Sequence, residues 1–180
     1  MNIIECFLMM TSIDLKNAQA EAEKLIEEMN ITSPIINVFE IAKRVGLDVE
    51  YFTPTGKLEQ VAGFFDPDSK TIYVNQGDSP QRQAFTIAHE LGHYKLAHQP
   101  NQFEVLMRFQ NVEMRRNPIE RQADEFAGNL LVPIKMLKKA RKDYSLDDKE
   151  TDIEILARLF GVSKDVIKIR LQRLRESSFF

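Results

Sequence analysis

Apolar residues recur every three to four positions along "SIDLKNAQAEAEKLIEEMN", where Leu15, Ala18, Ala22, Leu25, Ile26 and Met29 fall near one stripe. That spacing predicts an amphipathic helix from Ser12. "SPIINVFEIAKRVGL" predicts a second helix, with Ser33 as N-cap, Pro34 at the first helical position and Gly46 as the stop. The pattern then changes. "DVEYF", "EQVAGFFD" and "KTIYVN" carry β-branched and aromatic residues, with "DPDS" turning between the last two, and predict a small antiparallel sheet. Helical spacing returns from about Gln81 to His98, then in "IERQADEFAGNLL" behind Pro118 and "IKMLKKARKDY" behind Pro133. Between them, "QFEVLMRFQNVEMRRN" suits either a helix or a loop over a cleft. The tail "DIEILARLFGVSKDVIKIRLQRLRE" reads as two helical runs broken at Gly161-Val162-Ser163, a helix-turn-helix-like pair. The fold class expected is α+β: a mainly helical core over residues 1–145, and a C-terminal helical segment over 146–180 packed on it.

Composition narrows the function classes. A chain of 180 residues, 43% hydrophobic, supports one compact core and a small appendage. A formal charge of -3 and a pI near 5.7 argue against bare nucleic acid as the main partner. The single cysteine, Cys6, excludes an internal disulfide framework and a cysteine zinc cluster, and points to a reducing compartment, the cytoplasm. "MNIIECFLMM" is apolar but lacks a basic leader and runs into "TSIDLKN", so it is not read as a targeting signal. No run approaches the roughly 20 apolar residues that cross a bilayer, so no membrane partner is expected.

All three histidines lie within "IAHELGHYKLAH". Each helical residue advances about 100°, so His89 and His93, four apart, stand one above the other and can point two imidazoles at one ion. Glu90 is offset by one position. This is the HExxH arrangement, in which the histidines bind zinc and the glutamate takes a proton from the activated water. His98 would fall about 180° from His89 on a continuous helix, and is read as a helix-terminal residue facing away from the ion. A third histidine ligand of the metzincin kind would need glycine at 96 and histidine at 99; Leu96 and Gln99 stand there.

A catalytic site needs a third protein ligand and an open position. "NPIERQADEFAGNLLVP" offers Glu120 and, four residues on, Asp124. One helix face can present the first carboxylate to zinc and the second to the free ring nitrogen of a histidine ligand. Acidic pairs at this spacing usually mark a solvated face, and Glu113 and Glu125 are rivals. Tyr94 and Arg82 are candidate electrophiles, with packing and helix-start readings beside them.

These residues resemble the ImmA/IrrE family of metallopeptidases. The resemblance rests on "RQAFTIAHELGHYKLAH", "IERQADEFAGNLLVP", "LARLFGVSKDVIKIRL", "PIINVFEIAKRVGLDVEY" and "GFFDPDSKTIYVN", spanning most of Pro34 to Leu171. It implies a zincin-like, gluzincin-type core, with His89, His93 and Glu120 as zinc ligands, Glu90 as general base, and Asp124 as the carboxylate behind a ligand histidine. It also implies a zinc endopeptidase that cleaves a partner protein, a helix-turn-helix repressor, to derepress genes. The run "FAGNLLVP" departs from the family's bulkier segment ending in Met-Pro, which alters packing and not ligands.

The tail leaves alternatives. Lys164, Lys168, Arg170, Arg173 and Arg175 could meet phosphates in a DNA-binding transcriptional regulator that keeps the zincin scaffold. Ile155, Leu156, Leu159, Phe160, Val166, Ile167, Ile169 and Leu171 could equally close a helical cap. An antitoxin-like partner with structural zinc would need four protein ligands, and three are found.

Overall fold

The computed structural model describes residues 3–56, 59, 61–98, 118–147 and 149–177, with side chains from Leu15 to Glu176. Helix α1 spans Ile3–Glu28, starting well before Ser12. Its predicted stripe is the buried one: Ala18 and Ala22 are fully covered and Leu25 nearly so. Helix α2 spans only Val38–Arg44, shorter than the predicted run from Pro34. Asn37 is the cap instead of Ser33. Its side chain accepts from the Glu40 amide at 3.2 Å, a stronger start signal than a proline that merely tolerates helix. The stop at Gly46 is as expected, with φ at +85°.

Strands β1 (Asp48–Phe52), β2 (Gly63–Asp66) and β3 (Thr71–Asn75) form a sheet in the order β1-β3-β2. β2 and β3 are the expected hairpin, with Phe65 opposite Ile72. Asp66 closes its turn by accepting from the Asp68 amide and the Ser69 hydroxyl. β1, however, runs parallel to β3, with Val49 opposite Ile72, so the sheet is mixed and not wholly antiparallel. In the sheet order β3 lies between β1 and β2. β1 and β3 point the same way, an arrangement that no tight turn can make.

Helix α3 (Pro80–Lys95) begins at an N-cap, Ser79, with Pro80 in the first turn. Helices α4 (Pro118–Leu131), α5 (Ile134–Asp143), α6 (Glu150–Phe160) and α7 (Lys164–Ser177) follow. The α6–α7 break is where the pattern put it: Gly161 is left-handed at φ +67° and the Ser163 hydroxyl accepts from the Val166 amide. The described elements give a mostly helical α+β molecule. Helix α4 packs against both α1 and α3. One continuous core runs from Ala18 through Leu91, Phe126 and Leu130 to Phe160, Ile167 and Leu174, so the C-terminal helices share it. None of the described helices is long and apolar enough to cross a membrane. The segment 102–117, with the rival Glu113, lies outside the described residues.

Candidate metal centre

Two helices meet unusually closely to make the site. A Cβ on Gly92 would stand 3.1 Å from Phe126 Cδ1 and 3.3 Å from Ala123 Cα, so glycine there lets the α4 backbone approach α3. Phe126, Ala127, Leu130 and Leu131 anchor the far half of α4 in the core. Its first turn, bearing Glu120, is thereby held against the histidine face of α3.

At that meeting point His89 Nε2 lies 3.0 Å from His93 Nε2 and 3.2 Å from Glu120 Oε2, and His93 Nε2 lies 3.5 Å from Glu120 Oε1. Ligand atoms roughly 2.0–2.1 Å from a tetrahedral ion stand about 3.3 Å from one another. The observed edges bracket that value. Two neutral nitrogens with one carboxylate are a borderline-soft, oxygen-poor set that suits zinc better than calcium or magnesium. Among the described residues these three form the group able to hold a metal ion.

Asp124 takes the place the spacing suggested: its Oδ1 accepts from His89 Nδ1 at 2.9 Å. A carboxylate behind a ligand histidine fixes the tautomer and raises the ring's basicity. Burial alone would push the His89 pKa down, but the bonds to Asp124 and Glu120 and the charge of Glu90 override it and lift it to about 9. Glu90 is buried on the same helix, 3% exposed. Glu125, the rival ligand, faces elsewhere, pairing with Arg170 and Arg173 at 3.3 Å each.

The expectations for Tyr94, Arg82 and His98 meet different fates. Tyr94 is half-exposed and meets Phe65 of β2 edge-on, at 5.7 Å between ring centres. Arg82 pairs with Asp78 at 3.0 Å at the helix start. His98 does not face away. Helix α3 stops at Lys95, Ala97 turns left-handed at φ +53°, and the His98 amide bonds back to the His93 carbonyl at 3.0 Å. The wrap brings the His98 ring to the rear of His93, Nδ1 to Nδ1 at 3.0 Å, while its Nε2 meets Gln122 Oε1 at 2.8 Å. Burial, together with nearby His93 and His89, holds the His98 pKa below the usual imidazole range. Helical periodicity could not find this contact, because no glycine marks the turn; Gln122 carried no signal at all.

The basic tail is largely engaged within the molecule. Lys164 and Lys168 pair with Glu150 at 3.2 and 3.1 Å, and Arg173 with Glu125 and Glu176. Arg170 is buried and bonds the Val132 carbonyl, Glu125 and Asn129, tying α7 to α4.

The family model described as the IrrE N-terminal-like domain matches residues 42–172, the stretch that holds every residue of this site. Metallopeptidase ImmA of Bacillus subtilis is 34% identical over 109 residues, 58% of this chain and 59% of that protein. Radiation response metalloprotease IrrE of Deinococcus radiodurans is 44% identical over 48 residues, 27% of this chain and 13% of that protein. Among solved structures, a Mycobacterium tuberculosis transcriptional regulator shares the fold, with a TM-score of 0.61 and 23% identity over 84% of this chain and 45% of that one. The chain therefore spans less than two thirds of each of these relatives. With the family match covering most of its length, the chain belongs to the ImmA/IrrE family of metallopeptidases.

Proposed function

We propose that the chain is a zinc-dependent endopeptidase of the cytoplasm that cuts a partner protein, a helix-turn-helix transcriptional repressor, and so releases the genes it silences. The observation that carries the reading is the triangle of His89 Nε2, His93 Nε2 and the Glu120 carboxylate, with Asp124 behind His89. In this reading His89, His93 and Glu120 hold the ion, which when bound supplies Lewis acidity at the scissile carbonyl. Glu90 takes the proton of the attacking water on its carboxylate and returns it to the leaving amine. Asp124 holds the His89 ring in the tautomer that leaves Nε2 free.

The sheet supports a place for the substrate. β2 is an edge strand, paired on one side with β3, and Phe65 leans on Tyr94 of the metal helix. An extended peptide could add to that edge through main-chain hydrogen bonds. The names of two relatives, a metallopeptidase and a radiation response metalloprotease, support the peptidase reading; the repressor as substrate rests on the family resemblance. The internal ion pairs of Lys164, Lys168 and Arg173 support a helical cap over a DNA-binding tail.

Elemental analysis of the purified chain tests the centre. About one zinc per chain is expected in the wild type and in Glu90→Gln, and little in Glu120→Ala. Against a cognate repressor, Glu90→Gln should cut at least 10²-fold more slowly, the usual scale of general-base loss. Cleavage by Glu90→Gln at the wild-type rate would sink the assigned role.

A further inference from the structure

We propose that His98 and Gln122 form a neutral hydrogen-bond relay that fixes the tautomer of His93, making both of them positioning residues for the metal centre. The inference rests on the reading of His93 as a ligand. A neutral imidazole has one N–H and one bare nitrogen, so each bond along a chain of such rings dictates the direction of the next. Gln122 turns its carbonyl oxygen, an acceptor, toward His98 Nε2. His98 must therefore donate from Nε2, which leaves its Nδ1 bare. That nitrogen stands 3.0 Å from His93 Nδ1 and can only accept. His93 then carries its proton on Nδ1 and presents a bare Nε2, the atom that faces His89 Nε2 and Glu120.

Reversal of Gln122 would undo this. With the amide nitrogen toward His98, every bond would change direction and His93 Nε2 would aim a proton at the ion. A charged His98, with N–H groups on both sides, would meet the His93 Nδ1–H head on. The two ligand histidines are thus oriented by different means, His89 by the carboxylate of Asp124 and His93 by an uncharged ring and amide. Both devices end on α4, since Gln122, which backs the His98 ring, lies between Glu120 and Asp124 on that helix. Its first two turns supply Glu120, the carboxylate behind His89 and the amide behind His98.

The test compares the full-length wild type with His98→Phe, Gln122→Leu and His93→Ala. Zinc affinity is read by competition with a chromophoric chelator. The His93 tautomer is read by long-range nitrogen–proton correlation on histidine-labelled, metal-free chain. The wild type should show His93 protonated on Nδ1. His98→Phe and Gln122→Leu should bind zinc about 10- to 100-fold more weakly, the usual cost of losing a ligand's outer partner, with His93 in mixed tautomers. Wild-type affinity in His98→Phe and Gln122→Leu, while His93→Ala loses zinc, would overturn the relay and leave the metal site standing. So would a wild-type His93 protonated on Nε2. Zinc retained by His93→Ala would bring down the ligand assignment and the relay with it.

Discussion

Single side chains decide the chemistry here, and His89 shows how. In the metal-free chain its pKa is lifted from 6.5 to about 9, burial pulling it down and Asp124, Glu120 and Glu90 prevailing. A raised folded-state value means that the stabilisation is fully present below the unfolded value and is lost as the pH rises through about 9. Zinc must displace the same proton, so apparent zinc affinity should climb over that window. The thermal midpoint of the chelator-treated chain should fall between pH 6.5 and 9, and Asp124→Asn should flatten the fall. The same variant should bind zinc about 10- to 100-fold more weakly. A midpoint independent of pH over that range would count against the His89–Asp124 bond. The histidine pair was legible from the sequence because four residues on one helix is a local relation. Glu120 and Asp124 were suggested by the same spacing and given separate roles by the family resemblance, but their distances to the imidazoles depend on how α4 rotates against α3.

At the scale of elements, helix ends and close crossings set the site's dimensions. Five of the described helices end in the same left-handed wrap, at Asn30, Gly46, Ala97, Ser145 and Gly161, with the following amide bonding back into the last turn. Only two of the five announce it with glycine, and for that reason the end of α3 was misplaced and His98 with it. Alanine in this conformation costs about 1 kcal/mol relative to glycine. Ala97→Gly should therefore raise the unfolding free energy by up to roughly 1 kcal/mol in urea melts, less what the freer unfolded chain takes back. Its zinc affinity should stay unchanged. Gly92→Ala should do the reverse. Its methyl would press on Phe126 and the Ala123 backbone, and overpacking of about 1–3 kcal/mol outweighs the better helix propensity of alanine. Chelator competition should show zinc binding roughly tenfold weaker as Glu120 is moved away. The parallel pairing of β1 was not legible either, because strand composition reports burial and not direction.

Across the whole molecule, the buried Arg170 joins the C-terminal helices to the helix that carries Glu120. Removing it leaves the Asn129 and Val132 oxygens without their guanidinium partner. Arg170→Met should lower stability by about 3 kcal/mol, read as a shifted urea midpoint, while zinc stoichiometry in the folded fraction stays at one. If the cap were instead a DNA-reading module, the purified wild type would bind duplex tightly and release it steeply with salt.

The hairpin of β2 and β3 has a further consequence. A short turn clasped by Asp66 couples β2 to a strand whose Ile72 and Val74 are wholly covered, so the outer arm is the rim of a fixed shelf. Deuterium uptake along Gly63–Asp66 should alternate, amides turned toward β3 staying dark while their neighbours light up early. A peptide laid on the shelf should quench the early ones first.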